Sequence, residues 1–405
     1  MDKLKHKEFD FGSKLRQDSI IERLKAYITW QRSSGTSDAC LTLPRFAPVS
    51  INLDLTSACN FSCPHCVDSK IINTGQSLDI EDIKHTVDTL QNNGLLSIIL
   101  LGGGEPTLHK DFGEIATYIK RKGLQLGIVT NGSRLSQIES IVELLEKEDW
   151  VRISIDSGTQ DTFVRSHRPK TDVTLDTILH NAQNIKTKNP LITLGYSFVI
   201  AWEGIFINGH EICQNVSEMA DAVKLASAHS FNYVSFKPCL LRLEDSQKES
   251  LMDKPDNEKE KRVIEEIKSN LQNAESAAYN DLKVLKSVNL RALLNNELSE
   301  LKRQPKRCHM QFFSTVVTPS GIFHCPAYRG VMKAKIAETA GYAGKNEFGE
   351  TIQKLSDSIE SFNAKQECSV IACFYHHVNW WVDNFIQSDK NIDEIERAED
   401  DNFFL

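Results

Sequence analysis

The sequence is short of long hydrophobic runs, and this shortage argues against a membrane-spanning protein. Its longest apolar stretch, residues 95–101, is far below the roughly 20 residues that a helix needs to cross a bilayer. The first residues also lack the apolar core of a secretory signal peptide, so we expect a cytoplasmic protein with no membrane partner. The net charge of −8 offers little attraction for a phosphate backbone, which disfavours nucleic acid as a partner.

Low-complexity tracts and internal repeats are also absent, apart from an alternation of strand-like and helix-like segments. With 40% hydrophobic and 25% charged residues, the composition is ordinary for a soluble globular protein, and 405 residues suffice for one large and one small unit. Ten cysteines are present. Without a secretion signal they are expected to be metal ligands or reduced thiols, because the cytosol keeps thiols reduced.

Short apolar segments alternate with segments of helical periodicity from about residue 49 to residue 238. The apolar segments are rich in Val, Ile and Leu and are bounded by turn-forming residues, as buried parallel strands are. The candidate strands are residues 49–55, 96–101, 124–130, 151–156, 192–200 and 233–237. The candidate helices are residues 78–90, 112–119, 135–145, 175–185 and 216–226. This alternation predicts an α/β fold whose parallel sheet is either curled into a barrel or doubly wound.

The rest of the chain has a different pattern, and it leads to a division into four parts. These are a helical N-terminal extension (residues 1–48), the α/β unit (49–243), a charged helical linker (244–306) and a small α+β domain (307–405). Within the linker we expect helices at residues 263–271 and 282–301. The last part has little regular core, which suits a domain organised by metal.

Three cysteines lie close together directly after the first predicted strand. Cys59, Cys63 and Cys66 have the spacing Cys-x3-Cys-x2-Cys. Thiolates are soft ligands suited to zinc or to iron–sulfur clusters. A structural zinc site is normally closed by four ligands, whereas three ligands on a [4Fe–4S] cluster leave one iron open to another molecule. The spacing by itself also occurs by chance or in a zinc knuckle.

A glycine-rich turn follows the second predicted strand, where residues 102–106 read Gly-Gly-Gly-Glu-Pro. By itself it indicates a tight turn that uses glycine for positive φ. Together with the cysteine spacing it resembles the radical S-adenosylmethionine (SAM) superfamily, over roughly residues 49–240. The resemblance implies a partial (β/α)6 barrel in which Cys59, Cys63 and Cys66 hold a [4Fe–4S] cluster. SAM would bind the open iron and be cleaved to a 5′-deoxyadenosyl radical.

The same resemblance implies a set of residues that contact SAM. They are Gly103, Gly104, Glu105, Pro106, Thr130, Asn131, Ser154, Asp156 and Arg165. The glycine turn and its glutamate would meet the SAM amino group, and the residues at the ends of the third and fourth strands would lie near the ribose. Arg165 is expected at the SAM carboxylate, which suits a guanidinium. The alternatives are capping and turn chemistry for Ser154 and Asp156, and a surface ion pair for Arg165.

Four further cysteines, Cys308, Cys325, Cys368 and Cys373, lie in the last quarter of the chain. They resemble the ligands of the twitch domain of radical SAM enzymes, a short relative of the SPASM domain that carries an auxiliary [4Fe–4S] cluster. The pattern departs from the family in a shorter spacing before Cys325 and in a final Cys-x4-Cys. The alternatives are a structural zinc, or a fourth ligand drawn from Cys239, His376 or His377.

The resemblance implies a radical SAM enzyme, an oxidoreductase or transformase, that abstracts a hydrogen atom from its substrate. We expect a small-molecule biosynthetic intermediate, because residues 1–48 are few for the peptide-binding domain that peptide maturases commonly carry. The auxiliary cluster would assist a net oxidation, and a flavodoxin, ferredoxin or reductase would donate the electron. The alternatives are a maturase of a ribosomally made peptide, a non-catalytic iron–sulfur protein, and a tRNA-modifying enzyme that the acidic charge disfavours. Glu203, His210 and Lys237 are acid–base candidates without further support.

Overall fold

A ten-stranded, mostly parallel sheet forms the centre of the molecule in the computed structural model, which describes residues 11–33, 43–244, 248–251 and 258–399. Its strands, in spatial order, are β11 (Lys283–Lys286), β8 (Tyr233–Pro238), β5 (Thr193–Ile200), β4 (Trp150–Ser154), β3 (Gln125–Thr130), β2 (Ser97–Leu101), β1 (Ser50–Asp54), β12 (Ser314–Thr318), β13 (Gly321–Phe323) and β14 (Lys335–Ala337). Two hairpins lie apart from it, β6 (Phe206–Ile207) with β7 (His210–Glu211) and β9 (Leu240–Arg242) with β10 (Glu249–Leu251).

The six predicted strands of the α/β unit are confirmed as β1, β2, β3, β4, β5 and β8. They pair in parallel, with Ile51 opposite Ile98 and Ile98 opposite Leu126, so that each apolar side chain is buried between neighbours. Because all of these strands run the same way, their carboxyl ends meet at one edge of the sheet. The loops that carry the cysteine and glycine motifs leave the strands at that edge.

Helices connect the strands and cover the sheet. They are α1 (Phe11–Lys14), α2 (Ile21–Ser33), α3 (Ile80–Asn92), α4 (Phe112–Arg121), α5 (Leu135–Glu139), α6 (Gln160–His167), α7 (Leu175–Lys188), α8 (Met219–Ala228), α9 (Glu258–Ala277), α10 (Val288–Leu294), α11 (Leu298–Leu301), α12 (Lys345–Ser361), α13 (Ala364–Glu367) and α14 (His376–Gln387). In α3 the side chain of Asp79 accepts from the Glu81 N–H and caps the helix, while Ile83, Val87 and Leu90 are buried. No described helix is long and apolar enough to cross a membrane.

The predicted linker is not purely helical, which corrects the helix expected over residues 282–301. Residues Lys283–Lys286 form β11, which pairs in parallel with β8 and extends the sheet, and a helix begins only at Val288. Backbone pairing with an open sheet edge overrides the local helical spacing here. Residues 1–10 and 34–42 of the predicted extension, 245–247 and 252–257 of the linker, and 400–405 at the C-terminus lie outside the described residues.

The last part of the chain shares the main sheet. Strand β12 pairs in parallel with β1, and β13 and β14 continue antiparallel from it. Helix α2 of the N-terminal extension packs nearby: the Tyr27 hydroxyl lies 2.8 Å from His309 Nδ1, and His309 Nε2 lies 3.2 Å from Asp383 of α14. The N-terminal extension and the C-terminal part are therefore joined to the α/β unit through one buried core.

Candidate active site and C-terminal cysteine site

The three motif cysteines lie in the loop after β1, at the carboxyl edge of the sheet, and are partly buried. Burial raises the pKa of the Cys63 thiol well above its ordinary value, and the neighbouring Cys66 and Cys59 raise it further. Burial likewise raises the pKa of Cys66 to about 12. Thiols grouped in this way do not ionise readily by themselves, because burial and neighbouring negative charge disfavour the thiolate. Binding a metal would replace their protons with metal–sulfur bonds.

Amide side chains hold this cysteine loop against the end of β3. The Asn60 side-chain oxygen accepts from Asn131 Nδ2 at 2.9 Å and from the Ser133 hydroxyl at 3.2 Å. On the other side, the backbone N–H of Cys59 donates to Asn73 Oδ1 at 2.8 Å. The predicted site residue Asn131 therefore lies beside the cysteine loop and positions it.

The glycine turn after β2 lies directly on the cysteine loop. A Cβ at Gly104 would lie 2.4 Å from the carbonyl oxygen of Thr56 and 2.5 Å from that of Ala58. No other residue type fits so close to two backbone oxygens. The backbone N–H of Gly103 also donates to Asp54 Oδ2 at 3.2 Å, which ties the turn to the end of β1.

Glu105 is buried, and its carboxylate joins the glycine turn to β3. One oxygen accepts from the Thr107 hydroxyl at 2.6 Å and from the Thr130 hydroxyl at 2.7 Å, and the other accepts from the Asn131 N–H at 2.7 Å. Burial raises the pKa of Glu105, while these hydrogen bonds act in the opposite direction. The carboxylate thus anchors the turn, a role that the sequence analysis did not anticipate. Pro106 follows and begins a single 3₁₀ turn.

Asp156, at the end of β4, lies between two histidines. Its Oδ1 accepts from the Val199 N–H at 2.7 Å, and its Oδ2 lies 3.3 Å from His65 Nε2 and 3.6 Å from His167 Nε2. Burial acts to raise the pKa of Asp156, but the two histidines outweigh it and lower the pKa. Among the described residues, these three form the one group whose metal-ligating atoms all lie within 4.8 Å of one another.

His167 connects this group to the cysteine loop, because its Nδ1 lies 3.3 Å from the sulfur of Cys63. Its other nitrogen, Nε2, lies 2.8 Å from the carbonyl oxygen of Ile155. A carbonyl only accepts, so Nε2 carries a proton there. The sequence analysis missed both His167 and His65, although His65 lies inside the cysteine motif.

Two predicted SAM-binding residues are placed differently from the others. Ser154 ends β4, at the same edge of the sheet as the other strand ends, and is partly exposed. Arg165 is exposed on α6 and forms an ion pair with Asp161 at 3.5 Å. Its side chain lines a cavity of about 300 Å³ that also contains the acid–base candidate Glu203. The surface ion pair, which was the alternative for Arg165, is present, and its contact with the SAM carboxylate stays a prediction.

The four C-terminal cysteines line one cavity of about 60 Å³. They are brought together from four places in the chain: the loop before the Ser314–Thr318 strand, the loop after Phe323, the end of α13 and the loop before α14. Burial raises the pKa of Cys325 well above its ordinary value, and Cys308, Cys373 and Cys368 raise it further. The rest of the wall is mainly aromatic and aliphatic. Four soft thiols around one cavity, three of them on partly buried residues and one on a buried residue, fit a metal centre better than a set of free cysteines.

None of the alternative ligands lies on the wall of this cavity. Cys239 is buried elsewhere, with its sulfur 3.6 Å from the Leu240 carbonyl oxygen. His376 lies 3.2 Å from the Gln304 amide nitrogen, and His377 is exposed. Two groups on the cavity side do contact the thiols: Asn379 Nδ2 lies 3.5 Å from Cys308 Sγ, and the Tyr328 hydroxyl lies 3.8 Å from Cys368 Sγ.

A buried ion-pair network joins the two cysteine sites. Arg329, four residues after Cys325, lies 2.8 Å from Asp54 and 3.0 Å from Asp68, and Asp68 also pairs with Arg242 at 3.0 Å. Asp54 ends β1, and Asp68 follows Cys66 by two positions. Burial raises the pKa of Asp54 to about 7, while Arg329 opposes the shift. No local pattern in the sequence predicts this network.

Part of the chain matches the profile of a known family. Residues 53–197 match the profile of the Radical SAM superfamily. This segment of the chain is a radical SAM domain. The matched segment contains the cysteine loop, the glycine turn and the ends of β1 to β4, so the motif residues and their packing coincide with the radical SAM domain.

Relatives of the radical SAM domain include enzymes of several kinds. The chain is 31% identical over 170 residues to an S-adenosylmethionine-dependent nucleotide dehydratase of Selenomonas ruminantium, covering 40% of this chain and 61% of the relative. It is 30% identical over 109 residues to the mycofactocin maturase MftC of Mycolicibacterium smegmatis, covering 27% of each chain. The chain thus spans less than two thirds of the length of either curated relative.

Solved structures share the radical SAM fold over a longer stretch. Streptococcus suis SuiB bound to S-adenosylmethionine superposes with a TM-score of 0.56 at 15% identity, covering 89% of this chain and 78% of SuiB. The enzyme anSMEcpe with bound AdoMet gives a TM-score of 0.50 at 15% identity, covering 84% of this chain and 96% of that chain. At this level of identity the likeness concerns the fold.

Proposed function

We propose that this chain is a radical SAM enzyme that abstracts a hydrogen atom from a small-molecule biosynthetic intermediate. The observation that carries the proposal is the packing of the cysteine loop and the glycine turn against each other within the matched radical SAM domain. Cys59, Cys63 and Cys66 would hold a [4Fe–4S] cluster, which supplies the electron that cleaves SAM to a 5′-deoxyadenosyl radical.

The residues of this chain bind and orient in that reaction. Three thiol ligands would leave one iron for SAM, and the glycine turn, which packs on the cysteine loop, would meet the SAM amino group. Glu105 fixes the turn to Thr130 and Asn131 through its hydrogen bonds. These short contacts between buried groups would keep the SAM site rigid, which hydrogen-atom abstraction needs if the radical is to meet one carbon.

The C-terminal cysteines are proposed to hold an auxiliary [4Fe–4S] cluster. Thiolates about 2.3 Å from a tetrahedral zinc would lie roughly 3.8 Å from one another. Within the part of the chain that the structure describes, no three of these four sulfurs lie within 4.8 Å of one another, which supports the larger cluster over zinc. Such a cluster could accept an electron from the substrate radical, giving a net oxidation after loss of a proton.

The iron content of a variant without the first site tests the second cluster. The chain with Cys59, Cys63 and Cys66 all changed to Ala is purified without oxygen and assayed for iron, sulfide and its EPR spectrum. We expect retention of about four irons per chain, as one cubane cluster gives. Complete loss of iron, or one zinc per chain, would contradict the auxiliary cluster. The wild-type protein, with both sites loaded, is the control.

Formation of 5′-deoxyadenosine from SAM by the reduced wild-type protein tests the enzyme itself. The electron would come from flavodoxin, ferredoxin or a reductase, and dithionite serves as the substitute in the assay. The Cys→Ala variant of the first site should form none, because it cannot bind the reducing cluster. Absence of product from the fully loaded wild-type protein under every reductant would instead favour a non-catalytic iron–sulfur protein.

The substrate class has two candidates. The nucleotide dehydratase relative favours a small molecule, and 5′-deoxyadenosine formation should then rise when common ribonucleotides are added. A peptide is the second candidate, because SuiB, also solved bound to its precursor peptide SuiA, shares the fold over 89% of this chain. Short peptides encoded beside the gene are the matching probes. The class that increases 5′-deoxyadenosine formation and transfers a deuterium label from its carbon to the 5′-deoxyadenosine contains the substrate.

A further inference from the structure

His324 is a buried histidine beside the C-terminal cysteines. Its side chain is 2% exposed, and neither Nδ1 nor Nε2 has a partner among the described residues. A neutral imidazole carries one N–H donor and one lone pair, so both are left unsatisfied. Burying such groups without partners destabilises the folded state, because each loses its hydrogen bonds to water. A side chain in this position therefore indicates a partner that binds in the cavity.

The ring of His324 faces the cavity of the C-terminal cysteines. His324 directly precedes Cys325 and lines the same cavity as the four thiols. Its backbone N–H donates to the Ala334 carbonyl oxygen at 3.1 Å, so the main chain is fixed. The ring packs edge-on against Phe362, with centroids 4.6 Å apart, and lies 5.9 Å from the ring of Tyr328. Aromatic neighbours hold the ring in place but offer no strong acceptor.

We propose that His324 donates a ring N–H to a sulfur atom of the auxiliary cluster, an inference that rests on the cluster proposed above. The four cysteines already provide the four ligands that a cubane needs, which leaves hydrogen bonding to sulfur as the role for the imidazole. Asn379, 3.5 Å from Cys308 Sγ, is a second donor at the same site. Hydrogen bonds to cluster sulfurs stabilise the reduced state and raise the reduction potential.

The reduction potential of the auxiliary cluster tests the proposal. His324→Phe and His324→Asn are made in the chain that already has Cys59, Cys63 and Cys66 changed to Ala, so that one cluster is observed. The phenylalanine variant should retain about four irons and have a lower potential, and the asparagine variant, which keeps an N–H donor, should recover part of the loss. A tenfold decrease in the equilibrium constant for reduction of the cluster would correspond to a potential lower by about 59 mV for one electron. The exposed His377→Phe is the matched control and should leave the potential unchanged.

Pulsed EPR of the triple Cys→Ala chain, in which His324 is unchanged, gives a second readout. This readout does not depend on whether the His324 variants fold. An exchangeable deuteron and a weakly coupled histidine nitrogen near the reduced cluster are expected after exchange into D₂O. A strongly coupled nitrogen typical of a direct iron ligand would overturn the donor role. So would an unchanged potential in an iron-loaded His324→Phe. Absence of iron from the triple Cys→Ala background would refute the auxiliary cluster itself, which separates the two failures.

Discussion

Replacing Gly104 by Ala should separate the glycine turn from the cysteine loop. The new Cβ would lie 2.4 Å from the Thr56 carbonyl oxygen and 2.5 Å from that of Ala58, whereas ordinary contacts begin near 3.4 Å. The two segments must therefore move apart by about 1 Å. Both obstacles are backbone atoms, so no rotation of a side chain relieves the contact. Overpacking of this kind costs about 1–3 kcal/mol of folding free energy.

The same displacement should impair the chemistry more than the fold. A shift of about 1 Å at a reactive site can lower a rate by roughly 10²-fold. We expect Gly104→Ala to unfold at a lower urea concentration and to form 5′-deoxyadenosine from SAM about 100-fold more slowly than wild type. Urea denaturation followed by circular dichroism and a chromatographic assay of 5′-deoxyadenosine measure the two effects.

Gly349→Ala is the matched control, because Gly349 lies within α12 and an added Cβ there meets nothing within 4 Å. Alanine in a helix interior is about 1 kcal/mol more favourable than glycine, so this variant should be slightly more stable and fully active. If Gly104→Ala matched the wild type in both denaturation midpoint and rate, the close contact between turn and loop would be refuted.

Three further perturbations test individual contacts. Asp54→Asn should remove a pH dependence of stability. The pKa of Asp54 is about 7 in the folded protein and 3.8 ordinarily, so the folded state binds a proton that the unfolded chain has lost. Urea unfolding should therefore show that wild-type stability falls relative to the variant between about pH 4 and pH 7, with a limiting slope of about 1.4 kcal/mol per pH unit. Thr130→Val removes the hydroxyl that donates to Glu105 at 2.7 Å and should cost about 1.5–3 kcal/mol in the same assay. His167→Phe removes the nitrogen 3.3 Å from Cys63, and should shift the EPR g-values of the first cluster and lower its iron occupancy.

Each of these has an opposite outcome that would count against the structure. A wild-type pH profile parallel to that of Asp54→Asn would show that this carboxyl group does not take up a proton on folding. A Thr130→Val protein within 0.5 kcal/mol, roughly, of the wild type would mean that the Glu105 hydrogen bond is replaced by another. An unchanged EPR spectrum with full iron in His167→Phe would place the histidine outside the surroundings of the cluster.

The strands and the edge at which the motifs lie were predictable because their signals are local. Buried parallel strands need runs of Val, Ile and Leu, and the cysteine and glycine motifs follow two of those runs directly. Parallel strands bring their carboxyl ends together whatever the details of packing. The contact of Gly104 and Glu105 with the start of the cysteine loop at Ala58 could therefore be expected from the order of elements along the chain.

The contacts that complete the sites depend on distant parts of the chain and have no such signal. Strand β12 reaches β1 across more than 250 residues, and only the sheet shows that Arg329 lies beside Asp54. Tertiary packing likewise buries Asp156 between two histidines and leaves Arg165 exposed, although both residues were predicted from the same resemblance. The sequence determined the fold class and the ligand types, because spacing and periodicity are written in neighbouring residues. Tertiary packing alone decided which buried polar groups, such as His324, face each cysteine site.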